Sequence, residues 1–173
     1  MIWKAADCLP EMQASLIRFL MLSGQRNREV CQLQSIDIDG DWWVLKSERS
    51  KNKLDNHIFL TEFTRSFLPV YKNEGPYLFS AKGAVPMVLG DKIKKRMNAG
   101  LVIPHWKFHH FRHAFTTHLN EAGCAPHLVD ACLGHLSSAR TGIAGVYNHS
   151  DYRRQKREVF QRWSDMIEEV VNG

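Results

Sequence analysis

The chain has 173 residues, 44% of them hydrophobic and 24% charged, a composition that suits one folded domain with a substantial core. Its 23 Lys and Arg against 18 Asp and Glu give a net charge of +5, a mild preference for an anionic partner. The start of the chain lacks a signal-peptide pattern and no apolar run reaches membrane-spanning length, so we expect a cytosolic protein.

The first half of the chain predicts amphipathic helices followed by a small antiparallel sheet. Apolar residues recur at helical spacing before Gly24, and alternation around Asp39-Gly40 is the signal of a β-hairpin. The predicted helices are residues 11–24 and 28–34, and the predicted strands are the two arms of residues 36–45 and residues 57–60.

The second half predicts mostly helix. Thr61 is a typical helix N-cap, Gly123 ends one helix and Pro126 begins another. The predicted helices are residues 61–67, 87–97, 109–122, 126–133, 137–148 and 151–170, with an irregular, aromatic-rich loop over residues 71–86. The predicted fold class is therefore mainly α with a small antiparallel β-sheet, an α+β fold.

The four cysteines are scattered and have no CxxC spacing. Cys124 and Cys132 lie in apolar, helical surroundings, which predicts reduced thiols in or near the core. We therefore expect no zinc site at the cysteines.

The chemically capable side chains concentrate in residues 109–147. His109 and Arg112 are three residues apart and share one face of a helix. The planar guanidinium of Arg112 suits a phosphate, to which His135 could also donate. Tyr147 could supply an oxygen nucleophile for that phosphate.

This order of residues resembles the C-terminal half of a tyrosine recombinase of the phage-integrase family. Leu133-Gly134-His135 followed by Tyr147 and preceded by His109-x-x-Arg112 carries the resemblance, and residues 23–30 resemble the family's first arginine motif, with Arg26. Ser50-Lys51-Asn52 resembles its hairpin lysine, and the tail from Tyr147 to Tyr152 resembles the P4-like prophage integrases, in which the first tyrosine is the nucleophile. The match spans roughly residues 10–165.

The resemblance implies the catalytic core fold of these recombinases and site-specific recombination in phage or prophage integration and excision. DNA strands would be cut and rejoined through a covalent 3′-phosphotyrosine, without a metal or another cofactor. The expected partner is double-stranded DNA, on which the family forms tetramers that exchange C-terminal segments; a monomer remains open for the free chain. No membrane partner is expected, and DNA binding would bring this bacterial cytoplasmic protein to the nucleoid.

The same resemblance gives the chain's domain organisation. Residues 1–173 would be a single C-terminal catalytic domain, without the core-binding and arm-binding domains that usually precede it. The chain would be a piece of a longer protein or a truncated gene product. We therefore expect weak DNA affinity, and at most cleavage or relaxation, from this chain alone.

The expected roles follow from the chemistry of phosphoryl transfer. Arg26 and Arg112 would stabilise the charge that develops on the phosphate oxygens. Lys51 would protonate the leaving 5′ oxygen. His109 would accept the proton of Tyr147 or orient its hydroxyl.

Several of these residues have alternatives. Arg26 could be a solvated charge at a helix start, and Lys53 competes with Lys51 in the same charged turn. His109 is preferred to its neighbour His110 because only His109 lies three residues before the second arginine. The Glu29 side chain is expected to be a structural partner of the first arginine rather than a catalyst.

Two further assignments stay open near the C-terminus. Tyr152 competes with Tyr147, because the interval from His135 to Tyr147 is a few residues longer than in most of the family and the Gly- and Ser-containing residues 137–145 would have to loop out. The final helix either docks on a neighbouring subunit or packs as an ordinary core helix.

Two other functions deserve comparison. His109 and His113 have the i, i+4 spacing of a zinc helix, which would suit a metal-dependent nuclease, but the glutamate of an HExxH motif is missing. The chain could also be a catalytically idle DNA-binding remnant, although such a remnant needs no nucleophile.

Overall fold

The computed structural model describes residues 1–70, 75–99, 101, 105–135 and 152–173. Within these ranges the chain is mainly α-helical with one three-stranded antiparallel sheet, which confirms the predicted fold class. The helices are α1 (Ile2–Ala5), α2 (Glu11–Ser23), α3 (Asn27–Cys31), α4 (Glu62–Arg65), α5 (Asp91–Asn98), α6 (His109–Glu121), α7 (Pro126–Cys132) and α8 (Arg153–Asn172). The strands are β1 (Ile38–Asp39), β2 (Trp42–Leu45) and β3 (Asn56–Phe59), in the order β1-β2-β3. None of the helices in these ranges is both long and apolar enough to cross a bilayer.

Helix α2 lies against the sheet and supplies much of the core. Leu16, Ile17 and Phe19 on α2 are fully buried. The Phe19 ring lies 6.0 Å from the Trp43 ring of β2 and 5.5 Å from the Phe79 ring, between ring centroids. Burial of these large side chains fixes the end of α2 relative to the sheet, which positions the residues that follow Gly24.

Helix α8 packs against its own chain as a core helix. It contacts α7, β3, α2 and α6, and its Phe160 and Trp163 rings lie 5.6 and 5.2 Å from the Phe115 ring of α6. Val170, near the end of α8, is 80% exposed. Ser164 is the last fully buried residue of α8, and Ile167 after it is partly buried against the core.

Several predicted boundaries shift in the structure. The second predicted helix ends at Cys31, and the helix capped by Thr61 ends at Arg65. The helix predicted from Met87 begins only at Asp91, because the Met87 N–H donates to the Phe79 carbonyl at 2.8 Å and holds that segment extended. The predicted helix over residues 137–148 lies outside the described residues.

The first residues of the chain form structure that the sequence did not predict. Helix α1 is followed by a 3₁₀ turn at Ala6–Cys8. The Trp3 ring stacks 5.8 Å from the Phe63 ring and meets the Phe67 ring edge-on at 5.3 Å. Contacts between aromatic rings from different elements hold the first residues of the chain in place. The spacing of apolar residues in the sequence does not reveal such contacts.

Gly24 ends α2 in the left-handed conformation, with a φ of +62°. A Cβ atom at this position would lie 2.8 Å from the Phe115 ring. We expect Gly24→Ala to lower the free energy of unfolding by about 2–5 kcal/mol, since backbone strain adds to overpacking. Urea unfolding measures this loss.

Gly123 provides the matched control for that substitution. It also has a positive φ, of +83°, but a Cβ atom there would meet nothing within 4 Å. Gly123→Ala should therefore lose only about 1–2 kcal/mol of backbone strain. Equal losses in the two variants would contradict a tight contact between Gly24 and the Phe115 ring.

Candidate active site

Arg112 is a buried cation at the junction of α2, α6 and α7. Its side chain is 3% exposed, and its guanidinium donates from Nη1 to the Gly24 carbonyl at 3.2 Å and from Nη2 to the Leu133 carbonyl. Its Nε has no partner among the described residues. Burial lowers the pKa of Arg112 to about 10, so the group remains charged at neutral pH. Two carbonyls thus hold the guanidinium in place while some of its N–H donors remain available.

Arg26 is the N-cap of α3 and is fixed by Glu29. The Arg26 N–H donates to Glu29 Oε2 at 3.1 Å, and its Nη1 donates to Glu29 Oε1 at 3.1 Å. Glu29 is 4% exposed, and the Arg26 side chain is only 20% exposed. Arg26 is therefore not simply a solvated charge, and Glu29 is its structural partner, as the sequence suggested.

The two arginines act on each other electrostatically. After burial, the positive charge of Arg26 is the next cause that lowers the pKa of Arg112, whereas Glu29 and Asp130 raise that pKa. Two guanidinium groups close enough to repel are stabilised by an anion between them. The pair therefore has the charge and the donors to bind a phosphate.

Lys51 lies in the exposed turn between β2 and β3. Its backbone N–H donates to Glu29 Oε1 at 3.4 Å, which ties the turn to the partner of Arg26. Lys53 is also exposed in this turn, so the structure leaves both lysines as candidates. Lys46 is engaged elsewhere, because its Nζ lies 3.3 Å from the Asp55 carboxylate. A cleft of about 700 Å³ is lined by Arg26, Arg28, Glu29, Gln32, Glu48, Arg49, Ser50, Lys51, Lys53 and Tyr77.

His109 belongs to the same electrostatic environment as the two arginines. Burial lowers its pKa, and the nearby charges of His113, Arg112, Arg26 and His110 lower it further. A neutral imidazole can accept a proton. The electrostatic environment is therefore compatible with a base at this position.

His110 faces a different part of the molecule. It lines an apolar groove together with Trp106, Phe111 and Trp163. This placement favours His109 over His110 as the histidine of the site.

His135 directly follows the turn that Arg112 holds. Its Nδ1 lies 3.1 Å from Asp130 Oδ1, and its backbone N–H donates to the Asp130 carbonyl at 2.9 Å. Gly134 has a φ of +64°, which brings the chain out of α7 sharply enough for these two contacts. Asp130 thereby orients the imidazole.

Tyr147, the expected nucleophile, lies outside the described residues, as do residues 137–145. Tyr152, its competitor, is described: it precedes α8 with a φ of +52°, and its ring lies 6.0 Å from the His127 ring of α7. The described part of the chain thus brings Arg26, Arg112 and His109 into one environment, with the Lys51 turn and His135 attached through hydrogen bonds.

The sequence did not single out two further side chains of this site. Asn52 donates from Nδ2 to the Gly134 carbonyl at 2.5 Å, and Asp130 contacts His135. Asn52 directly follows Lys51, and Asp130 lies on the helix that ends before His135. Only their closeness in sequence to Lys51 and His135 could have pointed to these two residues. That signal is weak, because polar residues are common in turns and helices.

The zinc-helix alternative finds little support in the described ranges. The rings of His109 and His113 do meet, with centroids 4.7 Å apart. Among the described residues, however, no group of three or more His, Cys, Asp or Glu side chains is placed to share a metal ion. All four cysteines are free thiols, and burial raises the pKa of Cys132 to about 12.

The sequence of this chain matches one known protein family over most of its length. Residues 2–154 match the phage integrase family. The chain belongs to the phage integrase family. The match covers the sheet, the two arginines and the turn before His135.

Curated relatives in this family are longer proteins. Prophage integrase IntA of Escherichia coli (strain K12) is 25% identical over 146 residues, which cover 80% of this chain and 34% of IntA. Prophage integrase IntZ of the same strain is 26% identical over 169 residues, covering 91% of this chain and 40% of IntZ. The chain therefore spans less than half the length of these phage integrase family members.

Solved structures of recombinases share the fold. The crystal structure of XerA recombinase superimposes with a TM-score of 0.63 at 22% identity, covering 93% of this chain and 59% of XerA. A lambda integrase(75-356) dimer bound to a COC′ core site gives a TM-score of 0.60 at 18% identity, covering 82% of this chain and 56% of that chain. XerH bound to its difH substrate gives 0.61 at 22% identity, covering 94% and 51%.

Proposed function

We propose that this chain is the catalytic part of a site-specific recombinase that integrates or excises phage or prophage DNA. The observation that carries the proposal is the buried guanidinium of Arg112, which two carbonyls hold next to the positive charge of Arg26. An anion between these groups would relieve their repulsion. A DNA phosphate has the required charge and oxygens.

The proposed reaction is attack of a tyrosine on that phosphate. The Tyr147 oxygen forms a bond to phosphorus while the bond from phosphorus to the 5′ oxygen breaks, which leaves a 3′-phosphotyrosine. His109 accepts the phenolic proton and Lys51 protonates the 5′ oxygen. Arg26, Arg112 and His135 donate to the phosphate oxygens as charge develops. Rejoining is the reverse reaction, so no external energy source is required.

Double-stranded DNA is the proposed partner. XerH was solved bound to a difH substrate and lambda integrase bound to a COC′ core site, and their shared fold supports a DNA substrate here. On DNA we infer a tetramer in which C-terminal segments are exchanged. In the cell the chain would be cytoplasmic and would associate with the nucleoid when DNA is bound.

Covalent trapping tests the proposal. In a nicked DNA that carries the target site, cleavage releases the short fragment that bears the new 5′ hydroxyl. Rejoining is then prevented, so the protein–DNA adduct accumulates and survives denaturation. Peptide mass spectrometry of the adduct should place the nucleotide on Tyr147. No adduct at any concentration of target DNA would favour the idle DNA-binding remnant, and attachment to Tyr152 would reassign the nucleophile.

The lowered pKa of His109 predicts how the rate of DNA cleavage changes at acidic pH. Its pKa lies below the ordinary value of 6.5, so the imidazole stays neutral, and able to accept a proton, until the pH falls below that value. The apparent second-order rate constant of adduct formation reports the free protein. We expect it to decline only below pH 6.5.

Two alanine variants check the origin of that decline. His109→Ala should lower the rate and remove the decline, whereas His110→Ala, on the apolar groove, should retain it. A decline centred above pH 6.5 in the wild type would contradict the role assigned to His109.

A further inference from the structure

Asn52 connects the Lys51 turn to two other parts of the site. Its side-chain Nδ2 donates to the Gly134 carbonyl at 2.5 Å, immediately before His135. Its Oδ1 accepts from Nη2 of Arg26 at 3.5 Å, the long end of the hydrogen-bond range. One half-buried amide thus reaches both the first arginine and the turn that carries the histidine.

The neighbouring contact strengthens this connection. The Lys51 backbone N–H donates to Glu29 Oε1 at 3.4 Å, and Glu29 also binds Arg26. Two consecutive residues of this turn are therefore attached to the rest of the site by hydrogen bonds, Lys51 through its backbone and Asn52 through its side chain. A turn held at both points has far fewer positions available to the Lys51 side chain.

Three consecutive backbone carbonyls, those of Cys132, Leu133 and Gly134, accept hydrogen bonds from side chains. The Cys132 carbonyl accepts from Asn56 Nδ2 at 3.0 Å, and the Leu133 carbonyl accepts from Arg112. Asn52 completes this run from the turn between β2 and β3. The turn is thereby anchored to the same short segment that fixes the buried arginine.

We propose that Asn52 is a positioning residue that places Lys51 against the leaving 5′ oxygen. This inference rests on the proposed recombinase function and deepens it. A primary amide is suited to the task because it offers one donor to the Gly134 carbonyl and one acceptor to Arg26. Aspartate in its place would keep the acceptor but set a carboxylate oxygen against a carbonyl oxygen.

The test uses two forms of the nicked DNA substrate, one with the natural 5′ oxygen and one with sulfur at that bridging position. A thiolate leaves without being protonated, so the sulfur substrate makes a general acid unnecessary. Adduct formation is measured under single turnover with Asn52→Ala, Asn52→Asp, Lys51→Ala and the Asn52→Ala/Lys51→Ala double variant. Asn120→Ala, at an exposed position on α6, serves as the matched control.

We expect Asn52→Ala and Asn52→Asp to slow cleavage of the oxygen substrate by about 100-fold, the loss typical of a misplaced catalytic group. On the sulfur substrate both should return to within about threefold of the wild type, as Lys51→Ala should. The double variant should be no slower than Lys51→Ala, because Asn52 acts through the lysine. Asn120→Ala should match the wild type on both substrates.

Other outcomes would overturn the inference in distinguishable ways. Equal slowing of Asn52→Ala on both substrates, or multiplicative effects in the double variant, would mean that Asn52 does not act through Lys51. A wild-type rate in Asn52→Ala would show that the contact is unimportant. If the wild type formed no adduct with either substrate, the proposed function itself would fail and the role of Asn52 with it.

Discussion

Replacing Tyr147 with phenylalanine is expected to abolish the covalent protein–DNA adduct. The substitution removes one oxygen, and that oxygen is the atom proposed to bond to phosphorus. No other change in the protein should reduce adduct formation so completely, while binding of the DNA should persist because the phosphate-binding arginines remain. The adduct is measured by denaturing electrophoresis with the nicked substrate, and DNA binding by a mobility shift.

Tyr152→Phe is the matched control for this experiment. It removes the same oxygen from the tyrosine that precedes α8 and contacts the His127 ring. We expect it to retain adduct formation. If Tyr152→Phe lost the adduct and Tyr147→Phe kept it, the nucleophile would have to be reassigned to Tyr152.

Arg112→Lys is expected to have the second-largest effect, reducing the rate of adduct formation by about 100- to 1,000-fold, as loss of a fixed transition-state donor does. A lysine has one nitrogen in place of the planar fork that reaches both Gly24 and Leu133. One buried carbonyl would lose its partner, so stability should also fall by about 1–3 kcal/mol. Single-turnover cleavage and urea unfolding measure the two losses separately.

Arg154→Lys controls for the change of side chain itself. Arg154 lies on α8 with 90% of its side chain exposed, in an ion pair with Glu158. Such a surface pair contributes little, so both rate and stability should stay near the wild type. A wild-type cleavage rate in Arg112→Lys would refute the assignment of Arg112 to the phosphate.

Local patterns predicted the elements that are regular and amphipathic. The helix ending at Gly24, the hairpin around Gly40 and the cap at Thr61 all have short-range causes: a positive φ, a tight turn and a hydroxyl that accepts from Thr64 N–H. The start of α5, which was predicted too early, depends on the hydrogen bond from the Met87 N–H to the Phe79 carbonyl in the preceding loop. Contacts of that kind leave no periodic signal.

The candidate site residues were chosen because their order resembles that of a known family, and no single residue carries this information. Arg26 and His109 are far apart in sequence, and composition says nothing about their proximity. The structure adds the partners that hold them: Glu29 for Arg26, Asp130 for His135 and Asn52 for the lysine turn. Those partners are ordinary polar residues, and only their contacts distinguish them.

The sequence by itself determined the family, the helical character and the candidate chemical groups, because those follow from residue types in a given order. Only the tertiary structure decided that Arg112 is buried between two carbonyls and repelled by Arg26. Burial and the field of neighbouring charges arise from packing of segments distant in sequence. They cannot be obtained from any one segment alone.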